Sequence, residues 1–215
     1  MRSILLIGLG RFGKHIALKL NELNQEVMVV DHDEEKVHAL LPYVTSAQIG
    51  DSTDEAFLQG LGVRNFDVCV VAIGSDFQSS LETTSLLKEM GAKKVIERES
   101  RDVQAKFILR NGADEVVYPE KEIGNWTAVK CSGKNVLDYV ELDDGYAIIE
   151  TIIPKDWAGK SVVEINIRQK YHVTIMGIKR NDKLDLEISA ETVFNEGEGI
   201  VVLGKYEDLQ KVLGL

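Results

Sequence analysis

Over residues 1–131 short apolar runs alternate with helix-length amphipathic stretches. The runs near 3–8, 26–31, 45–49, 67–73, 94–97 and 115–118 read as six strands. Ile4, Leu5, Leu6 and Ile7 form an unbroken apolar run, as expected of a parallel strand covered on both faces. Strands that alternate with helices in this way predict an α/β, doubly wound parallel sheet. Between them, Ser52 with Glu55 and Ser75 with Gln78 fit a capping box, and Gly91 and Gly112 are placed to stop helices. Residues 132–139, with Ser132-Gly133-Lys134-Asn135, read as a hinge. Residues 140–215 then form a small α+β module. Its apolar stretch at 146–153 is followed by a short helix opened by Ser161-x-x-Glu164 and a strand at 172–179 ended by Asn181-Asp182. Strands at 184–188 and 199–204 and a last helix at 206–213 complete it. A module of about 75 residues is barely large enough to be stable alone, which predicts that it is dimerised or docked.

The first apolar run leads into Gly8-Leu9-Gly10-Arg11-Phe12-Gly13, a G-x-G-x-x-G turn in the strand-turn-helix context that gives the pattern its meaning. Gly8 makes the turn, Gly10 lets the backbone approach a pyrophosphate, and Gly13 lets the helix lie close on the sheet. The second run ends in Asp31, placed to accept hydrogen bonds from a ribose diol, and its charge disfavours a 2′-phosphate and therefore NADP. Asp33 serves better as the cap of the following helix. His32 and Asp33 are near enough to touch an adenine or ribose, and equally suit a turn. A sheet that reverses order between its first and fourth strands binds ligand over their carboxyl ends, which adds Ile73-Gly74-Ser75-Asp76 and Gln78 opposite the glycine turn. Asp51, Ser52 and Arg98 fall on the same side, although capping explains Asp51 and Ser52 equally well. Arg11 tilts the ligand toward ATP or ADP, because a guanidinium at the mouth of the turn offers a planar fork to additional phosphate oxygens. An exposed arginine in a first turn would otherwise oppose the helix dipole. Glu120 follows the sixth strand in a first turn, where an acid ordinarily serves that dipole.

Composition narrows the function. A formal net charge of −10 argues against nucleic acid and anionic lipid, which both require a basic face. The chain opens directly on a strand with no basic-then-apolar leader, and it has no run near the roughly 20 apolar residues that span a bilayer. A cytoplasmic protein is expected, free to sit on a membrane partner. Cys69 and Cys131 have no metal-ligand or C-x-x-C spacing, and both read as reduced, Cys69 as core. His15, His32, His38 and His172 form no pairing that suits acid–base or metal chemistry, so no catalytic residue is assigned. An NAD-dependent oxidoreductase is the second reading and a nucleotide sensor the first. A redox-sensing transcription factor lacks its basic helix-turn-helix.

Ile7-Gly8-Leu9-Gly10-Arg11-Phe12-Gly13, Val30-Asp31, Val71-Ala72-Ile73-Gly74, Asn111-Gly112-Ala113-Asp114 and Pro119-Glu120-Lys121-Glu122-Ile123-Gly124, with Ile165-Asn166-Ile167-Arg168-Gln169-Lys170-Tyr171, together resemble the regulatory subunits of bacterial Ktr/Trk potassium uptake systems. The likeness covers residues 1 to about 210 and is to the ring-forming Ktr subunit, a Rossmann-type nucleotide domain followed by a small C-terminal module. The resemblance implies a homo-octameric ring docked on the cytosolic face of a potassium-transporting membrane protein. ATP and ADP would favour different ring shapes, with NAD(H) able to use the same cleft. It also implies that Arg11 reaches a γ-phosphate and that Glu120 of a neighbouring subunit helps hold Mg2+ or another cation there. Some members bind cyclic di-AMP at the dimer interface of the C-terminal module, where Arg168 and Ile175 would be its contacts, and that face reads equally well as a dimer surface alone. One departure stands out: Val95-Ile96-Glu97-Arg98-Glu99 is more acidic than the family's V-x-A-K/R-A form.

Overall fold

The structure, a computed structural model, describes residues 1–74, 76–133, 135–181 and 183–213. The chain divides into two compact units, Met1–Lys121 and Glu122–Leu215. In the first unit the order is β1 (Ser3–Ile7), α1 (Arg11–Glu22), β2 (Glu26–Asp31), α2 (Glu34–Leu40), β3 (Ser46–Ile49) and α3 (Glu55–Leu61). It continues with β4 (Val68–Val71), α4 (Phe77–Glu89), β5 (Val95–Arg98), α5 (Asp102–Arg110), β6 (Glu115–Val117) and the start of α6 (Pro119–Ser132). The six strands pair in parallel in the order β3-β2-β1-β4-β5-β6, so the reversal expected between the first and fourth strands is present.

The apolar runs are continuous because both sheet faces are covered, and alternate residues along each strand serve opposite cores. Leu5, Ile7, Cys69, Val71 and Val95 meet Leu58 of α3 and Leu87 of α4. Ile4, Leu6, Val27, Val29 and Val70 meet Ala17 of α1 and Val37 and Leu40 of α2. Each such side chain contributes about 1.5–3 kcal/mol when fully buried. Cys69 is free and buried, and burial pushes its thiol up to about 12, so it stays protonated.

Two helix starts differ from expectation. Asp54, not Ser52, caps α3 by accepting the Ala56 and Phe57 N–H groups at 2.8 and 3.3 Å. Asp76 caps α4 by accepting those of Gln78 and Ser79 at 3.0 and 3.2 Å. A carboxylate in extended backbone immediately before the helix is the stronger acceptor and takes the capping position. Ser75, the other expected cap, lies outside the described residues. Gly91 and Gly112 do follow the ends of α4 and α5, both with positive φ.

The second unit carries the rest of α6 and β7 (Val136–Glu141), β8 (Tyr146–Ile152), α7 (Val162–Ile165), α8 (Ile167–Tyr171), β9 (Thr174–Arg180), β10 (Lys183–Asp185), β11 (Gly199–Lys205) and α9 (Tyr206–Leu213). Its sheet is antiparallel in the order β10-β9-β11-β8-β7. Alternating burial along β8 and β11 directs Ala147, Ile149, Ile200 and Val202 into a core with Trp157, Phe194 and Leu209. The Ser161–Glu164 capping box forms, with the Ser161 N–H donating to the Glu164 carboxylate at 2.7 Å.

Part of the segment 132–139 expected as a hinge is strand. The division between units falls inside α6, and β7 occupies 136–141 because Val136 and Tyr139 bury in the second core. Lys134 of that segment lies outside the described residues, as does Asp182. The strand expected over 184–188 ends at Asp185, whose side chain accepts the Glu187 N–H at 2.9 Å and turns the chain.

Candidate functional site

Where β1 ends, the Gly8 N–H donates to the Val30 carbonyl at 2.8 Å, and the backbone turns at φ +92°. A Cβ on Gly8 would stand 2.9 Å from the Ala72 carbonyl carbon, so only glycine fits beside the end of β4. On Gly13 a Cβ would collide with the Gly8 carbonyl oxygen, whereas Gly10 faces open space. The turn at Gly8 and the close approach at Gly13 are tasks that the glycine spacing predicted.

The turn borders a cleft of about 490 Å3 at the carboxyl ends of the strands, between the β1 and β4 sides of the reversal. Of the residues expected there, Gly8, Gly10, Asp31, His32, Asp51, Ser52, Ile73 and Gly74 line it. Phe12 and Gly13 turn into the fold, half-buried and buried. Asp33 caps α2 by accepting from the Glu35 N–H at 3.0 Å. Gln78 points along α4 and donates to Glu82 at 2.8 Å. Asp76, the last residue of the expected segment opposite the glycine turn, lines the cleft as well, and Lys36 and Ser79 line it without having been expected from the sequence.

Asp31 is 7% exposed. Its carboxylate accepts the Leu9 N–H at 2.7 Å and the Asp33 N–H at 2.9 Å, binding the end of β2 to the glycine turn. A carboxylate has about four acceptor positions, so this anchoring leaves capacity for a ligand hydroxyl. Lys36 Nζ and His32 Nδ1 each lie 3.7 Å from it. Asp51 accepts from Thr53, through N–H at 2.9 Å and hydroxyl at 2.7 Å, and these bonds hold its carboxyl below the usual range. Ser52 is buried and shares a 2.9 Å hydrogen bond with Thr83 of α4.

Arg98, Glu120 and Arg11 gather at the margin. The Arg98 side chain is 15% exposed, ion-pairs with Glu120, and fills the space that a Cβ on Gly74 would occupy. Its Nε is buried with no partner among the described residues. With Glu99 and Arg101 it lines a second depression of about 220 Å3 that shares Ile73 and Gly74 with the cleft. Burial would raise the Glu120 carboxyl, but its own N–H, the Arg98 guanidinium and the charge of Arg11 outweigh that and hold it below its ordinary value. Arg11 is the first residue of α1, exposed, and does not line the cleft.

Behind the cleft lies a feature with no counterpart among the sequence expectations. Glu97 is fully buried, accepts the Thr84 hydroxyl at 2.6 Å through Oε2, and has no partner at Oε1 among the described residues. Burial pushes its carboxyl up to about 7, with the charge of Glu99 adding to the rise and the Thr84 and Ser80 hydroxyls opposing it.

No group of three or more His, Cys, Asp or Glu among the described residues is arranged to hold a metal ion, and no described helix is long and apolar enough to cross a membrane. In the second unit Arg168 is exposed on α8 and Ile175 half-buried on β9.

A doubly wound sheet with a glycine-turn cleft, followed by a small antiparallel module, defines the class to which this chain belongs. Residues 4–119 match the TrkA-N domain and residues 148–215 the TrkA-C domain, so the chain is a member of the TrkA family. Within that family it is 37% identical over 210 residues to Ktr system potassium uptake protein A of Bacillus subtilis, covering 98% of this chain and 95% of the relative. The figures are the same for protein C of that organism. Identity to Ktr system potassium uptake protein A of Vibrio alginolyticus is 28%, covering 99% and 96%. Among solved structures it superposes on the GsuK channel with a TM-score of 0.72 at 21% identity, covering 100% of this chain and 40% of the channel chain. The GsuK channel bound to NAD gives 0.69 at 20%, covering 99% and 39%. The chain thus spans less than half of those channel chains, and at such identity the likeness speaks to fold.

Proposed function

We propose that this protein is the nucleotide-sensing regulatory subunit of a potassium uptake system, acting on a membrane-embedded potassium transporter from its cytoplasmic side. The observation that carries the reading is the 37% identity to the Ktr uptake proteins across nearly the full length of both chains. The cleft supplies the sensor. Backbone N–H groups at the start of α1 face phosphates, and Asp31 keeps acceptor capacity for a ribose diol. The unpartnered Nε of Arg98 is a buried donor that a ligand oxygen would satisfy. ATP and ADP are the favoured ligands; NAD(H) is a further one, and the GsuK channel of the same fold has been solved with NAD.

In this reading the protein does no chemistry and works by linkage, since a ligand shifts a conformational equilibrium only by its difference in affinity between the states. Arg11 distinguishes ATP from ADP at the γ-phosphate. Glu120 is the carboxylate that pairs with Arg98 at that margin. It suits Mg2+ or another cation held chiefly by phosphate oxygens, and among the described residues it belongs to no group of three or more metal-binding side chains. Eight chains form the ring as a tetramer of dimers, and the second unit takes cyclic di-AMP at Arg168 and Ile175.

Titration calorimetry with ATP and ADP tests the sensor. The wild type separates the two, and Arg11→Ala binds them alike, losing a coupling of about 1–3 kcal/mol. Unchanged discrimination in the variant refutes the role of Arg11, and absence of binding by either nucleotide refutes the reading as a whole.

A further inference from the structure

We propose that the buried Glu97 carboxyl is a proton-binding group linked to nucleotide occupancy of the adjoining cleft, so that an anionic nucleotide draws a proton onto Glu97 and binds more weakly as pH rises. The proposal rests on the nucleotide-binding reading above and adds a mode of regulation to it.

The geometry begins with α4. Its buried face carries three hydroxyls, Ser80, Thr83 and Thr84, at the spacing of one helical face. Two of them hold backbone that lines the cleft: Ser80 donates to the Ile73 carbonyl at 3.0 Å, and Thr83 to that of Ser52 at 3.3 Å. The third, Thr84, donates to Glu97. Glu97 is therefore the acidic end of a buried polar seam whose other end is cleft wall. It also precedes Arg98, whose guanidinium packs on Gly74 of that wall.

An ionised carboxylate in such a place requires a cation or several N–H donors. Glu97 has the Thr84 hydroxyl on Oε2, no hydrogen-bond partner for Oε1 among the described residues, and only a further influence from the Ser80 hydroxyl, whose hydrogen bond goes to Ile73. The charged group acting on it is Glu99, which is of like sign and itself 5% exposed. Its strand neighbours are Val71 of β4 and Val116 of β6. The buried face of α4 adds Leu87 to the three hydroxyls, and that of α5 presents Ala105 and Ile108, none of them titratable. The proton affinity of Glu97, with its carboxyl near 7, is thus poised to respond to a new charge nearby. Phosphates in the cleft add negative charge in a region of low dielectric, which favours the neutral form of Glu97. Linkage then requires that protonated Glu97 favours the bound nucleotide.

NAD is the probe, because its phosphates do not titrate near neutrality. His32 lines the same cleft and histidine is the residue type whose ordinary titration falls near neutrality, so both arms carry His32→Asn to leave Glu97 as the group under test. Calorimetry at pH 7 in buffers of differing ionisation enthalpy should give an uptake of about 0.2–0.5 proton per NAD bound. Affinity should fall about three- to tenfold from pH 6 to pH 8.5. Adding Glu97→Gln should abolish both while NAD still binds. Thr84→Val, which removes the hydroxyl that favours the charged form, should move the midpoint of the affinity change to higher pH and serves if the Gln variant does not fold. Uptake that persists in Glu97→Gln, a midpoint unmoved in Thr84→Val, or affinity independent of pH in the parent overturns the proposal. No binding of NAD or ADP at any pH overturns the nucleotide reading itself.

Discussion

Replacing Glu97 by glutamine keeps the shape of the side chain and an acceptor for the Thr84 hydroxyl, and removes only the ionisation. The cost of that ionisation follows from the carboxyl's displacement from 4.5 to about 7. At 1.36 kcal/mol per pH unit this corresponds to about 3 kcal/mol. The sign is fixed by proton binding. Between 4.5 and about 7 the folded chain holds a proton at Glu97 that the unfolded chain has released, so stability falls as pH rises through that window. Below it both states are protonated and nothing is lost; above it the full cost is present. Glu97→Gln should therefore match the wild type within about 1 kcal/mol at pH 4.5 and exceed it by up to about 3 kcal/mol at pH 8.5. Urea unfolding followed by circular dichroism at both pH values, at one protein concentration, measures the difference. A variant less stable than wild type at pH 8.5, or a difference that does not change with pH, would refute the argument, because either result means that Glu97 is ionised and well partnered in the fold.

Gly74→Ala should leave the unfolding temperature nearly unchanged, because the atom its Cβ meets is the end of the flexible Arg98 side chain, while displacing that guanidinium from Glu120. Nucleotide affinity measured by calorimetry should then drop by about 1–3 kcal/mol, the worth of a charge-assisted hydrogen bond. Asp54→Ala removes the acceptor of two orphan N–H groups at the start of α3 and should cost about 1 kcal/mol in chemical denaturation.

The strands were legible because burial on both faces removes polar residues from them, leaving runs such as Ile4 to Ile7 that need no periodicity to be seen. The glycine turn was legible because steric exclusion at Gly8 and Gly13 admits one residue type. Caps were harder. Over Ser52, Thr53 and Asp54 three successive side chains offer an acceptor, and the backbone at Asp54 decides among them. Lys36 was hidden for a different reason: a lysine in a first turn reads as solvent-facing, and only the return of α2 against the end of β2 carries its ammonium to 3.7 Å from Asp31. For Glu97 the signal was present. The alternation that buries Val95 places Glu97 on the same face, so the acidity of that segment marked a buried charge as well as a departure from the family pattern.

The distribution of charge around the cleft bears on how a phosphate count would be read. Three carboxylates, Asp31, Asp51 and Asp76, line it, and hydrogen bonds from Thr53 and Ser79 hold the last two below their ordinary range and so ionised at neutral pH. Such a lining suits ribose hydroxyls and repels phosphates, and Lys36 lies close enough to Asp31 to be largely neutralised by it. In the proposed reading the phosphates are therefore directed to the start of α1 and the margin where Arg11, Arg98 and Glu120 meet. At that margin Arg98 is already engaged by Glu120, whereas Arg11 reaches Glu120 only through its field and is exposed. Arg11, with no ion pair or side-chain hydrogen bond among the described residues, is the guanidinium able to respond to a third phosphate. Discrimination should accordingly vanish in Arg11→Ala and persist in Gly74→Ala, where both nucleotides weaken together. Loss of discrimination in Gly74→Ala would assign the count to Arg98 instead.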